Sequence, residues 1–515
     1  MKRRKRSFAL ATLMLACLLL FAACEPVGGL DLNKALTASA SVESYTGKAS
    51  VSVEVLLDES LLGLLSMNPA LASLADGFQI NLDEIRQEDL NTMSAKGEVL
   101  FGDESVPVAM SVTPEQIVFE VDGISKPLVL SSGMEELGMD GIQNSLTAVT
   151  PELVKAIYEY FVPNLPNPET ISVEKTTVII NDEPVTVRKV HSEIYGDEVI
   201  GLLEEALTNL AEDEEGLRNM LDELYDLFVP VLNEVMEEAA AQDPDPSAEQ
   251  ALDWIQAYLN NKTLVTEFLY TTITQGYKTA LSEMDTLTES LISDMESEGF
   301  NILTEDSYLK ADLYVDNNFH IVRSDYELLL APQIPDAAGF GGIKVTATQE
   351  LWGINEPVEA DLLDAADGIS LDDLNANDAI LSAVDPGSKV AELLTAVGMN
   401  KKQVFVYVDQ ETAYLEKGTV LAEGYSLSGQ LGLDLTWNEA DGNVVLSDPL
   451  TGKTMTFLMG TNTVMVDGAS MELAVGPKES DFMLFLPVRT VAETFGYEVQ
   501  WDPEFQMVVL TKSYF

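Results

Sequence analysis

The sequence predicts an α+β protein. A curved antiparallel sheet packs on helices in the N-terminal part, and a small α+β domain of two repeated strand-helix-strand units follows. Three observations predict this. Apolar and polar residues alternate from about residue 44 to Ile194 and again from Tyr308 to Trp352, the period of half-buried strands. Between these stretches, residues 196–300 change to apolar spacings of three or four, the period of a helix. Near the C-terminus, "GLDLTWNEA" (432–440) is echoed by "GYEVQWDPE" (496–504), and both Gly432/Gly496 and Trp437/Trp501 lie 64 residues apart.

At the N-terminus, Lys2, Arg3, Arg4, Lys5 and Arg6 precede an apolar run from Phe8 to Ala23. Its sixteen residues fall short of the roughly 20 that span a bilayer and suit the core of a secretory signal. The run closes on "LFAAC", which resembles the lipobox of bacterial lipoproteins, with Phe21 standing where Leu is usual. That resemblance implies a signal peptide over 1–24, with Cys24 acylated as the new N-terminus. The partner would then be a membrane, held through the lipid anchor at the outer face of the cytoplasmic membrane. Cys17 lies inside the cleaved part, so no disulfide, cysteine–metal site or thiol nucleophile is expected. Loss of five basic residues leaves 23 against 86 acidic ones, a net charge of −63. Such a surface repels nucleic acid, which is excluded as a partner, and attracts Ca²⁺ loosely.

Residues 25–44 read as a tether, and 45–355 as one α+β domain. Its strands are separated by turn signals at Gly102-Asp103, Thr113-Pro114, Asp122-Gly123, Asn181-Asp182 and Asn317-Asn318. In the helical segment, Leu217, Leu221, Leu224, Phe228, Val231 and Val235 form one apolar stripe. Ser247 is an N-cap candidate for a second helix bearing Leu259, Leu264 and Phe268, and Leu281 to Met295 continue the pattern. The elements "SYTGKASVSVEV", "VDGISKP" and "INEPVEAD" resemble bacterial lipoproteins of the LolA/LppX-like class over residues 44–365. The resemblance implies an open antiparallel half-barrel over helices, and some members of the class carry lipids or lipoproteins.

Residues 356–400 read as an acidic linker. Aligned as a calcium loop on Gly368, they place Leu363, Ala365 and Leu374 where oxygen ligands are required, so no such site is expected. Residues 401–515 hold the repeats, about 403–448 and 455–512. The offset of 64 also pairs Val508, Val509 and Leu510 with Val444, Val445 and Leu446. Upstream, "VYVDQETAYL" aligns with "VMVDGASMEL" at an offset of 58, which implies six residues gained near "GPKESDFMLF". Gly432 and Gly496 suit helix C-termini, where glycine takes the left-handed conformation. Trp437 and Trp501 share a strand face with apolar neighbours and are expected in the core.

"FLPVRTVAETFGYEVQWDPEFQMVVL" closely resembles the copper amine oxidase N-terminal-like domain, also called a stalk domain. The shared positions are Pro487 and Arg489 before a short helix, then Gly496, Trp501 and Asp502. The first copy keeps Gly432 and Trp437 without the Pro-x-Arg. The family resemblance implies an accessory module used in attachment or scaffolding, remote from copper and quinone chemistry. Arg489 is expected to make an intramolecular ion pair or to bond backbone.

No catalytic motif, cofactor or metal site emerges. His191 and His320 are the only histidines and fall on separate strands. The expectation is a lipid-anchored, noncatalytic binding or scaffold protein of the cell envelope, engaging a cell-wall component, a lipid or an envelope protein. The alternatives are a lipid or lipoprotein carrier that uses the N-terminal sheet, which requires an apolar cavity under it, and a cell-wall polysaccharide hydrolase using two carboxylates.

Overall fold

The computed structural model describes residues 27–57, 77–102, 104–131, 152–242, 255–297, 301–332, 340–373, 376–409, 411–438, 442–480 and 482–515. Cys24 with its signal, the apolar stretch at 60–75 and Ser247 lie outside them. The architecture is mixed α+β. It divides into two compact units, one reaching Phe119 and resuming at Ser131–Asp364, the other formed by Glu120–Leu130 and Ala365–Phe515.

The strands of the first unit are β1 (Tyr45–Leu57), β2 (Phe78–Gln87), β3 (Met93–Phe101), β4 (Glu104–Val112) and β5 (Gln116–Val121). After β6 (Leu128–Ser131), which pairs in the second unit, come β7 (Thr170–Ile180), β8 (Glu183–Tyr195), β9 (Tyr308–Val315), β10 (Ile321–Leu330) and β11 (Phe340–Trp352). They run in the order β5-β4-β3-β2-β1-β11-β10-β9-β8-β7, so the N-terminal β1 closes against β11 from the far end of the unit. The β7–β8 hairpin turns on Asn181 and Asp182 at φ 46° and 65°. Two positive φ values make the turn whose twist matches paired strands, and Asn and Asp tolerate them best after glycine.

Helical segments of the first unit include α1 (Leu32–Ala40), residues 152–161, α2 (Val199–Glu212), α3 (Glu214–Gln242), residues 255–259 and α4 (Lys262–Ser297). The expected tether is corrected by α1. Asp31 caps it by accepting from the Lys34 N–H at 3.0 Å. Leu30, Leu32 and Ala35 are buried against Val190, Leu313 and Val315, so residues 27–44 belong to the fold. On α3, Leu217, Leu221 and Val231 are buried as their spacing predicts. On α4, Leu264, Phe268 and Leu287 are exposed instead. Ile273 with Tyr270 and Tyr277 packs around Tyr160 and Leu217, and a tyrosine can bury its ring while its hydroxyl keeps a partner, as Tyr277 does with the Tyr160 hydroxyl at 3.4 Å.

The expected linker is also folded chain. Its first part crosses the sheet of the first unit: the N–H groups of Asp361 and Leu363 donate to Ser94 and Ser111 Oγ at 2.9 and 3.1 Å. These bonds explain why two strand serines are buried. The remainder enters the second unit, where β12 (Ile369–Ser370) pairs with β6 in parallel. Helices α5 (Ala376–Ala383) and α6 (Lys389–Ala396) follow. Asp378 on α5 is buried and receives Lys402 Nζ at 2.6 Å and the Tyr514 hydroxyl at 2.8 Å, tying this segment to the repeats.

The first repeat contains β13 (Lys401–Tyr407), β14 (Ala413–Glu416), β15 (Thr419–Glu423), α7 (Gly424–Leu431), β16 (Asp434–Asn438) and β17 (Asn443–Ser447). The second contains β18 (Thr454–Leu458), β19 (Thr463–Val466), β20 (Ala469–Glu472), β21 (Lys478–Ser480), β22 (Met483–Pro487), α8 (Val488–Thr494), β23 (Glu498–Asp502) and β24 (Met507–Ser513). Adding 64 carries β15 onto β22, α7 onto α8, β16 onto β23 and β17 onto the start of β24. The two copies meet through β15 and β22, which pair with Ala422 opposite Leu486, Leu421 opposite Pro487 and Glu423 opposite Phe485. Equivalent residues thus pair about a shared centre, as a twofold relation between copies requires. Their first strands are exchanged: β13 pairs with β24 of the second copy, and β18 with β17 of the first.

This exchange corrects the upstream alignment. Val406 lies opposite Val508, and Phe457 opposite the equivalent Val444, so β13 corresponds to β18 at an offset of 51, not to β19 at 58. Because Tyr414 and Lys478 occupy matching places opposite Leu421 and Phe485, the offset of 64 already holds at β14. The second copy has gained 13 residues, and the β19–β20 hairpin lies in the added segment. A single core runs through both copies, from Val404 and Leu427 to Phe457, Val491 and Leu510.

Candidate functional site

The inward face of the first unit's sheet is apolar in register across the strands. Ile194 lies opposite Leu309, Leu309 opposite Leu328, and Leu328 opposite Val345. The same row continues through Val53, Phe78 and Phe101 on β1, β2 and β3. Alternation along each strand puts these side chains on one side of the sheet. Under the first four of them is a partly enclosed cavity of about 270 Å³, closed opposite the sheet by Val199 at the start of α2 and by Ile302 and Leu303. Tyr326 and Ala347 complete the sheet wall. Apolar walls give a ligand no polar anchor, so affinity there comes from covering hydrocarbon. The space is about twice the ~150 Å³ apolar cavity that takes up benzene. Beyond it, Val53 and Phe101 are half-buried and Phe78 is exposed, so the apolar row extends past the cavity toward β3.

The outward face carries a ladder of charges. His191 Nδ1 is 2.8 Å from Asp312 and its Nε2 3.0 Å from Glu193. Lys189 approaches Asp312 at 3.0 Å, Lys344 approaches Glu327 at 2.9 Å, and Lys48 approaches Glu350 at 2.9 Å. The Tyr195 hydroxyl donates to Glu193, which with His191 and Lys310 holds that carboxyl down at about 2. The Tyr308 hydroxyl donates to Glu327 at 2.7 Å, and this bond, with burial, pushes it up to about 12. Cross-strand pairs of this kind contribute roughly 0.2–1 kcal/mol each and set strand register rather than reactivity.

The hydrogen bond to Asp312, helped by Glu193, raises the His191 pKa above its ordinary 6.5, against the opposing effect of desolvation. The folded state therefore favours protonated His191. Its stabilising contribution is complete below pH about 6.5 and is lost as pH rises through the elevated folded value. An NMR titration is expected to place the His191 midpoint above 6.5, and Asp312→Asn to lower it. A midpoint unchanged by Asp312→Asn would contradict the pairing.

In the second unit, the glycines end helices as their spacing suggested. Gly432 and Gly496 have φ 74° and 87°, and the N–H groups of Leu433 and Tyr497 return to Ser428 and Ala492 carbonyls at 2.9 Å in both copies. This is the six-residue closure that satisfies a helix's last carbonyls. Pro487 ends β22 and precedes the first residue of α8. Arg489 Nη1 donates to Glu493 at 2.9 Å and to the Val499 carbonyl at 3.5 Å. Asp502 turns the chain by accepting from the Glu504 and Phe505 N–H groups at 2.9 and 3.2 Å.

The expectation for Trp501 is corrected. Trp437 packs partly buried against the core, whereas Trp501 is 42% exposed and lines a groove with Arg489. Alternation fixes the side of a strand, but only the neighbouring sheet decides whether that side is covered. Among the described residues, no group of three or more His, Cys, Asp or Glu side chains could hold a metal ion. No helix of the described residues is long and apolar enough to cross a membrane.

Comparison with known proteins adds a match at each end of the chain. The crystal structure of the Mycobacterium tuberculosis lipoprotein LppX is similar over 64% of this chain and 96% of that one, at 13% identity and a TM-score of 0.21. The α+β class therefore rests on the strands and helices described above. No curated protein matches the chain. Residues 399–512 match the family described as the copper amine oxidase N-terminal domain, which spans both repeats from the residues just before β13 into β24.

Proposed function

We propose that this is a noncatalytic binding protein of the bacterial cell envelope, anchored through Cys24, whose N-terminal unit takes up an apolar chain of a lipid or lipoprotein. The observation that carries the proposal is the cavity under Ile194, Leu309, Leu328 and Val345, continued by an apolar row across three more strands. Strands about 4.8 Å apart make the row from β8 to β3 about 29 Å long, a shape that suits an extended hydrocarbon better than a compact ring. "LFAAC" supports the anchor, and the module at 399–512 supports a role in attachment.

Two measurements test it. A fluorescent fatty-acid analogue is expected to bind the whole chain saturably and to be displaced by unlabelled fatty acid. A linear, non-saturating signal would sink the cavity as a ligand site. Separately, Cys24→Ser is expected to abolish metabolic labelling by palmitate. Labelling that persists in this variant would remove the anchor without touching the cavity.

A further inference from the structure

A second site lies in the repeat module, in a groove of about 480 Å³. One side is formed by Val488 and Arg489 of α8 with Val499 and Trp501 of β23. Gly418 and Thr419, at the β14–β15 turn, contribute to the lining. A further wall is Leu473, Ala474 and Val475, which follow directly on the β19–β20 hairpin of the added segment. Val464 on β19, Leu473 and Val475 are buried, so the hairpin and the wall that follows it are packed into the module rather than laid over it.

The first copy serves as an internal comparison. At an offset of 64, Arg489 corresponds to Tyr425, Trp501 to Trp437 and Gly418 to Phe482. The first copy lacks the 13-residue gain, its tryptophan is better covered, and Phe482, 95% exposed, stands where the second copy's groove has a glycine. The two copies share a backbone plan, so helix and strand packing alone does not account for the difference. The groove arises where an insertion, a guanidinium and an open indole coincide.

We propose that this groove binds a hexosamine glycan of the cell wall, with a pyranose ring stacked on Trp501 and an acetamido or carboxylate oxygen bonded to Arg489. An indole face carries negative charge density that attracts the weakly positive C–H face of a sugar ring, and large planar contact gives dispersion at little entropic cost. Both contacts of Arg489 use Nη1, which leaves Nε and Nη2 to donate to a ligand oxygen. Val488 and Val499 supply an apolar floor and Thr419 and Thr490 polar flanks, the mixture expected of a specific small-ligand site. The chain's net charge of −58 opposes polyanions, so the ligand is a neutral or sparsely carboxylated sugar chain rather than a polyphosphodiester.

The test uses the whole chain and two probes, an N-acetylglucosamine tetramer and a muramyl-containing disaccharide with a free lactyl carboxylate, followed by tryptophan fluorescence and calorimetry. Saturable binding of at least one probe is expected. Trp501→Ala should weaken it about tenfold or more, while Trp437→Phe in the first copy leaves it unchanged. Arg489→Gln should weaken the carboxylated probe more than the neutral one. Circular dichroism melts confirm that the variants fold. Absence of saturable binding to both probes overturns the proposal, as does binding that survives Trp501→Ala. Preferential binding of a teichoic-acid polyanion, or of a protein partner with neither glycan bound, also overturns it. The acyl-probe experiment concerns the other unit, so either result stands without the other.

Discussion

Ala347→Trp is expected to reduce binding of an apolar probe at least about tenfold while the chain stays folded. Ala347 is half-buried on β11 and forms part of the cavity wall beside Tyr326. An indole there occupies space that a ligand would otherwise fill, and losing several buried methylenes, at about 0.8 kcal/mol each, more than accounts for a tenfold change. Overpacking of a filled core would cost about 1–3 kcal/mol, but this site is open and receives the ring with less strain. The control is Thr348→Trp, one residue along the strand. Thr348 is exposed and points to the opposite face, so this change is expected to leave uptake as it was. Equal loss in both variants, read by probe titration, would place the binding elsewhere.

Phe457→Ala is expected to cost about 3–5 kcal/mol in the stability of the repeat module. Phe457 is fully buried and lies between Val444 on β17 and Val464 on β19. It holds the exchanged strand β18 against the other repeat and the β19–β20 hairpin against β18, so truncation loosens both. Trp501→Ala, at an exposed ring, is expected to cost about 1 kcal/mol or less, although the sequence alone makes tryptophan the more conspicuous residue. Denaturant unfolding of the two variants checks the contrast. A Trp501→Ala penalty matching that of Phe457→Ala would return Trp501 to the core.

Much of the second unit was legible because its evidence is repeated. The offset of 64 placed α8, β23 and β24 on α7, β16 and β17, and Gly432 and Gly496 marked two helix ends that the structure closes by the same bonds. The upstream offset of 58 misled because "VYVD" and "VMVD" share letters, whereas the equivalent strands share only inward positions, Val404 and Val406 with Met455 and Phe457. Strand exchange between copies is a long-range fact that no local alignment encodes. In the first unit, Asn181-Asp182 announced its hairpin, but α1 passed for a tether because nine residues give too few turns to show a period.

The cavity was the least legible feature. Ile194, Leu309, Leu328 and Val345 each read as an ordinary inward strand residue, and nothing in a strand's alternation says whether the space it faces is filled. That depends on which residues approach from α2 and from residues 302–303 across more than a hundred positions of chain. The intramolecular contact expected of Arg489 is present, with its Glu493 partner one helical turn away. Its neighbourhood with Trp501 and the wall at Leu473 to Val475 required the fold.

The most direct test of the central claim is mass spectrometry of an organic-solvent extract of the whole chain, purified from bacterial membranes in gentle detergent. The account predicts an acyl-chain lipid retained at up to one per chain and depleted in Ala347→Trp, beyond any lipid joined covalently at Cys24. A chain that retains no noncovalent lipid, and that shows no saturable uptake of an apolar probe, would contradict it.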